Sequence, residues 1–150
     1  MNAIEQMKFK LCLPPVSASS ANFASNTYVD TQGWSHVRFL IITGVLGAAV
    51  GSTAHTTAPL IEECDTSGGS YSDVSNAALA DAISDSEDSS MFAIDVDLTK
   101  SHKRYMQVQA PDAGAAACLL AIVAILSKKE SGPAFGGGAS EAGLAEKISA

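Results

Sequence analysis

A chain of 150 residues suits one domain, long enough to bury about 70% of the surface its unfolded form exposes. Apolar residues make up 47% and charged residues only 17%, a low charge density of the kind found where other subunits cover a surface. The net charge of -7 and a pI near 4.7 exclude a protein that grips nucleic acid through phosphate contacts, because the nine basic residues are dispersed and only Lys100, Lys103 and Arg104 lie close together before the tail.

From the first residue, Met1–Lys8 carries an acid where a secretory signal wants bases, and no long apolar region follows; no secretory signal is expected. Residues 7–13 alternate, with Lys8, Lys10 and Cys12 on one face and Phe9, Leu11 and Leu13 on the other. That predicts a first strand, stopped by Pro14-Pro15. Residues 17–25 are small and polar, a loop or an arm lying on a neighbour, and residues 1–25 together form an N-terminal strand and arm. The domain proper is expected over 26–131.

Its best-defined stretch is 29–44. Asp30 and Thr31 bond backbone two residues on, Gly33 takes a positive φ, and a strand follows with Val37, Phe39 and Ile41 on one face and His36 and Arg38 on the other. Beyond Leu40 both faces are apolar, which predicts a strand running from a half-wet edge into a dry interior. Full burial of those three inward residues contributes roughly 5–8 kcal/mol as an upper bound.

The apolar run 39–50 is shorter than the roughly 20 residues of a spanning helix and holds two glycines, so a buried strand with a Gly-rich connection is expected. Residues 59–65 read as a strand, 66–70 as a Gly-Gly turn and 71–74 as a short strand or turn. Residues 76–84 suit two helical turns with an alanine face. Asp81, Asp85, Glu87 and Asp88 lack the spacing of a calcium loop, so a solvated loop is the reading there. Residues 91–98 alternate with Phe92, Ile94, Val96 and Leu98 inward and Asp95 and Asp97 outward. A turn at 99–102 returns the chain through 103–109 as a hairpin.

The run 113–126 is again too short to span, and it predicts a central strand buried on both faces, Cys118, Leu120 and Ile122 against Leu119, Val123 and Ile125. After Ser131 the composition turns glycine-rich. Residues 132–150 form a flexible tail ending in a weak helix former that does not fold alone.

Chemistry is sparse. Cys12, Cys64 and Cys118 are odd in number, widely spaced and in apolar contexts, the pattern of buried free thiols in a reducing compartment rather than a zinc site. No nucleophile elbow or phosphate-cradling loop accompanies His36, His55 or His102, and Glu62 and Glu63 point to opposite faces of one strand. No catalytic residue, cofactor or metal is assigned. The candidate residues are interface ones: Trp34 as an anchor, Lys103 and Arg104 as a basic pair, and Phe135 in the tail.

Read together, Asp30-Thr31-Gln32-Gly33-Trp34, Thr43-Gly44, Leu60-Ile-Glu-Glu-Cys-Asp65, Tyr71-Ser-Asp-Val74 and Lys103-Arg104-Tyr105 form an ordered string over about residues 26–127. The string resembles the small β-sandwich capsid decoration, or cement, proteins of tailed bacteriophages, with Cys64 where that family usually has a serine. The resemblance implies an all-β fold, an antiparallel two-sheet sandwich, jelly-roll-like, with extended N- and C-terminal arms. It implies a non-enzymatic virion protein on the outer surface of the head, assembled in the host cytoplasm. The implied partners are the major capsid protein and two further copies in a homotrimer, with neither nucleic acid nor membrane. A tail or head–tail connector component, a small membrane protein of the holin kind, and a glycan-binding sandwich using Trp34 are the alternatives.

Overall fold

A computed structural model describes residues 6–18, 27–51, 57–109, 112–113, 116–128 and 146–149. They form strands and turns, with no α-helix among the described residues. One sheet has the order β1 (Met7–Ala18), β10 (Cys118–Ser127), β3 (His36–Leu46), β7 (Met91–Asp97) and β11 (Glu146–Ser149). The second has the order β2 (Val29–Asp30), β8 (Tyr105–Val108), β5 (Leu60–Cys64) and β6 (Ser72–Ala78), and β4 (Val50–Gly51) pairs with β9 (Asp112–Ala113). The fold is the expected all-β two-sheet sandwich. Its pairings are antiparallel except for β11, which lies parallel to β7.

The core lies between the two sheets. Val37, Phe39 and Ile41 of β3, Ile94 and Val96 of β7, and Ile122, Ala124 and Leu126 of β10 meet Ile61, Val74, Met106 and Val108 of the second sheet in one buried cluster. The predicted inward face of β3 is thus the inward face. All three cysteines are free and buried, as expected, and burial pushes the Cys12 thiol up to about 11.

Several elements depart from the expectation, each for a local reason. β1 does not stop at Pro14-Pro15 but runs to Ala18, because the prolines sit in a bulge between the Leu13↔Ile122 and Val16↔Leu120 pairs of an edge strand. A second bulge at Cys12, between Leu11↔Val123 and Leu13↔Ile122, flips the strand's parity. Phe9 and Leu11 therefore share the outer face with Ile125 and Val123 and are exposed, while Cys12 and Leu13 are buried.

The wet and dry ends of β3 are also the reverse of the prediction. Arg38 is buried, paired across the sheet with Asp95, which lies on the outer face as expected but is buried there too. Ile42 and Val45 are exposed at the apolar end. β10 is central as predicted and dry on its inner face, but Leu119 on its outer face is exposed.

Residues 72–78 are strand β6, not the start of a helix. An alanine face offers a helix little packing, whereas pairing with β5 buries Val74 and Ala77, with Asn76 at φ 60 breaking the alternation. The weak helix of the tail is replaced over Glu146–Ser149 by β11, and Phe135 lies outside the described residues. The two apolar runs considered for a membrane are largely β3 and β10, hydrogen-bonded to each other, and no helix among the described residues is long and apolar enough to cross a membrane.

The expected hairpin between β7 and β8 does not form. β7 belongs to the first sheet and β8 to the second, so residues 98–104 cross between sheets. Asp97 initiates that crossing, its carboxylate accepting from the Thr99 backbone N–H (3.0 Å) and hydroxyl (2.6 Å). Residues 31–35 make the first crossing of this pair, from β2 to β3, and residues 98–104 the second beside it. This pair of adjacent crossings flanks a cleft.

Candidate functional site

The first crossing is a tight turn with the predicted chemistry. Asp30 Oδ1 accepts from the Gln32 backbone N–H (3.1 Å), Trp34 N–H donates to the Thr31 carbonyl (3.1 Å), and Gly33 sits at φ 82. The Thr31 hydroxyl turns instead to the neighbouring crossing. It donates to the Arg104 carbonyl (2.6 Å), which also accepts from the Thr31 N–H (2.9 Å).

Arg104 closes the contact with a two-pronged bond to Asp30, Nε to Oδ1 at 2.9 Å and Nη2 to Oδ2 at 2.7 Å. Those hydrogen bonds hold the Asp30 carboxyl well below the usual carboxylate range, at about 2. The guanidinium also lies 5.0 Å from the Tyr105 ring centre, and Tyr105 meets Tyr28 edge-on at 5.4 Å. Lys10 continues the series, its ammonium 5.0 Å from the Tyr28 ring and bonded to the Tyr28 carbonyl.

The second crossing is anchored on β5. Glu63 Oε2 accepts from the Lys103 backbone N–H (3.1 Å) and lies 3.0 Å from His102 Nδ1. A carboxylate accepts only, so the His102 proton facing it is on Nδ1. His102 Nε2 is buried with no hydrogen-bond partner among the described residues. The Lys103 ammonium reaches the Ser72 hydroxyl on β6 at 2.9 Å.

Between the crossings lies a cleft of about 400 Å³, bordered by Thr31, Gly33, Trp34 and Asp65 on one side and by His102, Lys103 and Arg104 on the other. Three of the four sequence-predicted interface residues, Trp34, Lys103 and Arg104, thus line one cleft. Trp34 is half-buried against the core, with the Lys128 ammonium 5.7 Å from its ring centre. The cleft offers an aromatic face, two cations with polar partners and one carboxylate, Asp65, which suits a polar partner surface of mixed charge.

Glu63 and His102 were not legible as a pair. They stand 39 residues apart, and only the register of β5 with β8, Glu63↔Met106 and Cys64↔Tyr105, brings them together. Glu62 goes elsewhere, accepting from Gln107 Nε2 at 2.6 Å, so the two adjacent glutamates do not share a site.

Two carboxylates of the acidic loop accept from backbone N–H groups, one in the loop and one on β3. Glu87 accepts from the Ser84 N–H (2.7 Å) and Asp88 from the Leu46 N–H (2.6 Å), which ties the loop to the end of β3. No group of three or more His, Cys, Asp or Glu side chains among the described residues has the geometry to hold a metal ion.

No protein-family model matches the chain, and no curated protein matches it significantly.

Proposed function

We propose that this chain is a non-enzymatic structural protein of a bacteriophage head, a decoration protein that binds the outer surface of the major capsid protein and stabilises the shell, acting as a homotrimer. One observation carries the reading. Four of the five pieces of the motif string behind the resemblance to cement proteins pack as one unit around the cleft, all but Thr43-Gly44. The Asp30–Trp34 turn is bonded to Arg104, the Leu60–Asp65 strand holds His102 and Lys103 through Glu63, and the Tyr71–Val74 segment meets Lys103 through Ser72. A docking protein needs a rigid frame that presents side chains at fixed positions, and the strands of the second sheet, tied to the two crossings by these bonds, supply one.

Co-sedimentation with heads stripped of accessory proteins tests the reading. The full chain pellets with heads, and a Trp34→Ala, Lys103→Glu variant stays in the supernatant with its β-type circular dichroism intact. Failure of the parent chain to pellet, or equal binding by the variant, overturns it. Radial position in an image of the particle separates a head protein from a tail or connector component.

A second reading rests on the same cleft. Trp34 beside Asp65 and His102 has the makings of a glycan site, an aromatic platform with polar groups at its rim. Binding on a glycan array that is lost in Trp34→Ala, without binding to heads, favours it over the capsid role.

A further inference from the structure

The outer face of the five-stranded sheet is unlike the rest of the surface. Phe9 is 61% exposed, Leu11 54%, Ile42 37%, Val45 70% and Leu119 40%, five of the six large apolar side chains that stand exposed among the described residues. Strand register places them on one face. Phe9 and Leu11 of β1 lie opposite Ile125 and Val123 of β10, and Ile42 of β3 lies opposite Ala121. Leu119 is two residues from Ala121 on the same side of β10. It also covers Gly44, where an added Cβ would come within 2.5 Å of the Leu119 side chain.

The resulting stripe is three strands wide and six or seven residues long, roughly 15 Å by 25 Å. That is about the size of the largest apolar patch on an ordinary monomer, which is often a functional surface, and about half of the ~800 Å² per partner that a stable complex uses. An apolar centre with a polar rim is the anatomy of a subunit interface.

Charge decides the occupant. The charged residues facing the middle of this side, Arg38 and Asp95, cancel each other in a buried two-pronged pair. The acids of β5 and β6 lie on the second sheet, and Asp88, in the loop before β7, spends its carboxylate on the Leu46 backbone N–H (2.6 Å) at the Val45 end of the stripe. Two copies of a chain carrying -7 repel over most of their surfaces, and a charge-balanced apolar face is where they meet without like-charge contact. An anionic membrane is a poor occupant for the same chain, because among the described residues the stripe offers no uncompensated cation to a negative leaflet.

We infer that this outer face, from Phe9 and Leu11 to Val45 and Leu119, is the surface through which copies of this chain pack against one another. The inference deepens the self-association in the proposed function, on which it rests, and it names the face that the subunits cover. Docking to a shell through the cleft leaves this face free for subunit contact.

Sedimentation velocity of the pure full chain at micromolar concentration tests it without heads, so its failure is distinct from failure to bind a shell. The parent chain sediments as a discrete oligomer, and Leu11→Glu with Val45→Glu sediments as a monomer with an unchanged β-type spectrum. Lys100→Glu, a change on an exposed loop, leaves the oligomer intact. If the double variant loses its spectrum, Val45→Lys alone, at the most exposed of the five positions, probes the same face. A monomeric parent chain, a folded variant that remains oligomeric, or a monomeric parent that floats with phosphatidylcholine vesicles overturns the inference.

Discussion

Arg38–Asp95 and Arg104–Asp30 are the same chemical pair in two settings. Both are two-pronged, with Nε and Nη2 each on one carboxylate oxygen at 2.7–3.0 Å. The side chains of the first are 8% and 4% exposed, those of the second 45% and 39%. Water screens the second pair, whose worth lies in fixing where Arg104 and the turn sit rather than in stability. The first pair, with His36 Nε2 a further 3.9 Å from the same carboxylate, bridges β3 and β7 where the two residues face each other across the ladder. There a charge that loses its mate is cut off from solvent. Geometry alone therefore does not rank ion pairs; burial does.

Breaking the buried pair from one side is the largest effect expected. Asp95→Ala leaves Arg38 charged and dry and costs about 3–5 kcal/mol, read as a fall in the urea midpoint. Arg38→Met with Asp95→Leu restores most of that loss, because two apolar side chains of similar volume remove both desolvation costs. If the double variant is no better than Asp95→Ala, the pair holds the fold by something other than mutual compensation of charge.

Glu63 and His102, at 15% and 14% exposure, lie between the extremes. Glu63→Ala takes the acceptor from the Lys103 N–H and from His102, and about 1–3 kcal/mol is expected by the same measurement. Gly33→Ala sharpens the view of the exposed pair's turn. At φ 82 a Cβ costs about 1 kcal/mol although nothing lies within 4 Å of it, so the penalty is backbone strain alone.

Asp30→Asn is the smallest change, and its signature is in pH rather than size. The folded-state carboxyl, at about 2 against an ordinary 3.8, binds its proton less readily than the unfolded one. Its contribution is therefore present above pH 3.8 and lost as pH falls through about 2. Denaturation midpoints of the parent and of Asp30→Asn converge as pH is lowered across that window and stay parallel above it. Midpoints that diverge toward acid contradict the assigned sign.

Much of the scaffold was legible because strands announce themselves by alternation. Val37, Phe39 and Ile41 pointed inward as read, and the Asp30–Gly33 turn formed with the Asp30 bond and the positive Gly33 φ expected of it, while the Thr31 hydroxyl went to Arg104 instead. What alternation does not carry is parity across a bulge, and a single extra residue at Cys12 turned Phe9 and Leu11 outward. Nor does it say which sheet receives a returning strand. Residues 91–98 and 103–109 have the pattern of a hairpin, yet β8 pairs with β5 and β2, and that crossing makes the cleft. Arg38 shows a third gap. A charge on an alternating strand reads as a wet face unless its partner is known, and Asp95 lies 57 residues away. Trp34, Lys103 and Arg104 were each visible as residues worth singling out, while their meeting in one cleft depended on both crossings.

Hydrogen–deuterium exchange of the full chain, free and bound to stripped phage heads, tests the central claim most directly. Added protection concentrated in residues 31–34 and 98–104 is the predicted result, with the outer-face strands β1 and β10 no more protected by heads than by self-association alone. Protection by heads that falls on β1 and β10 and leaves both crossings unchanged contradicts the account.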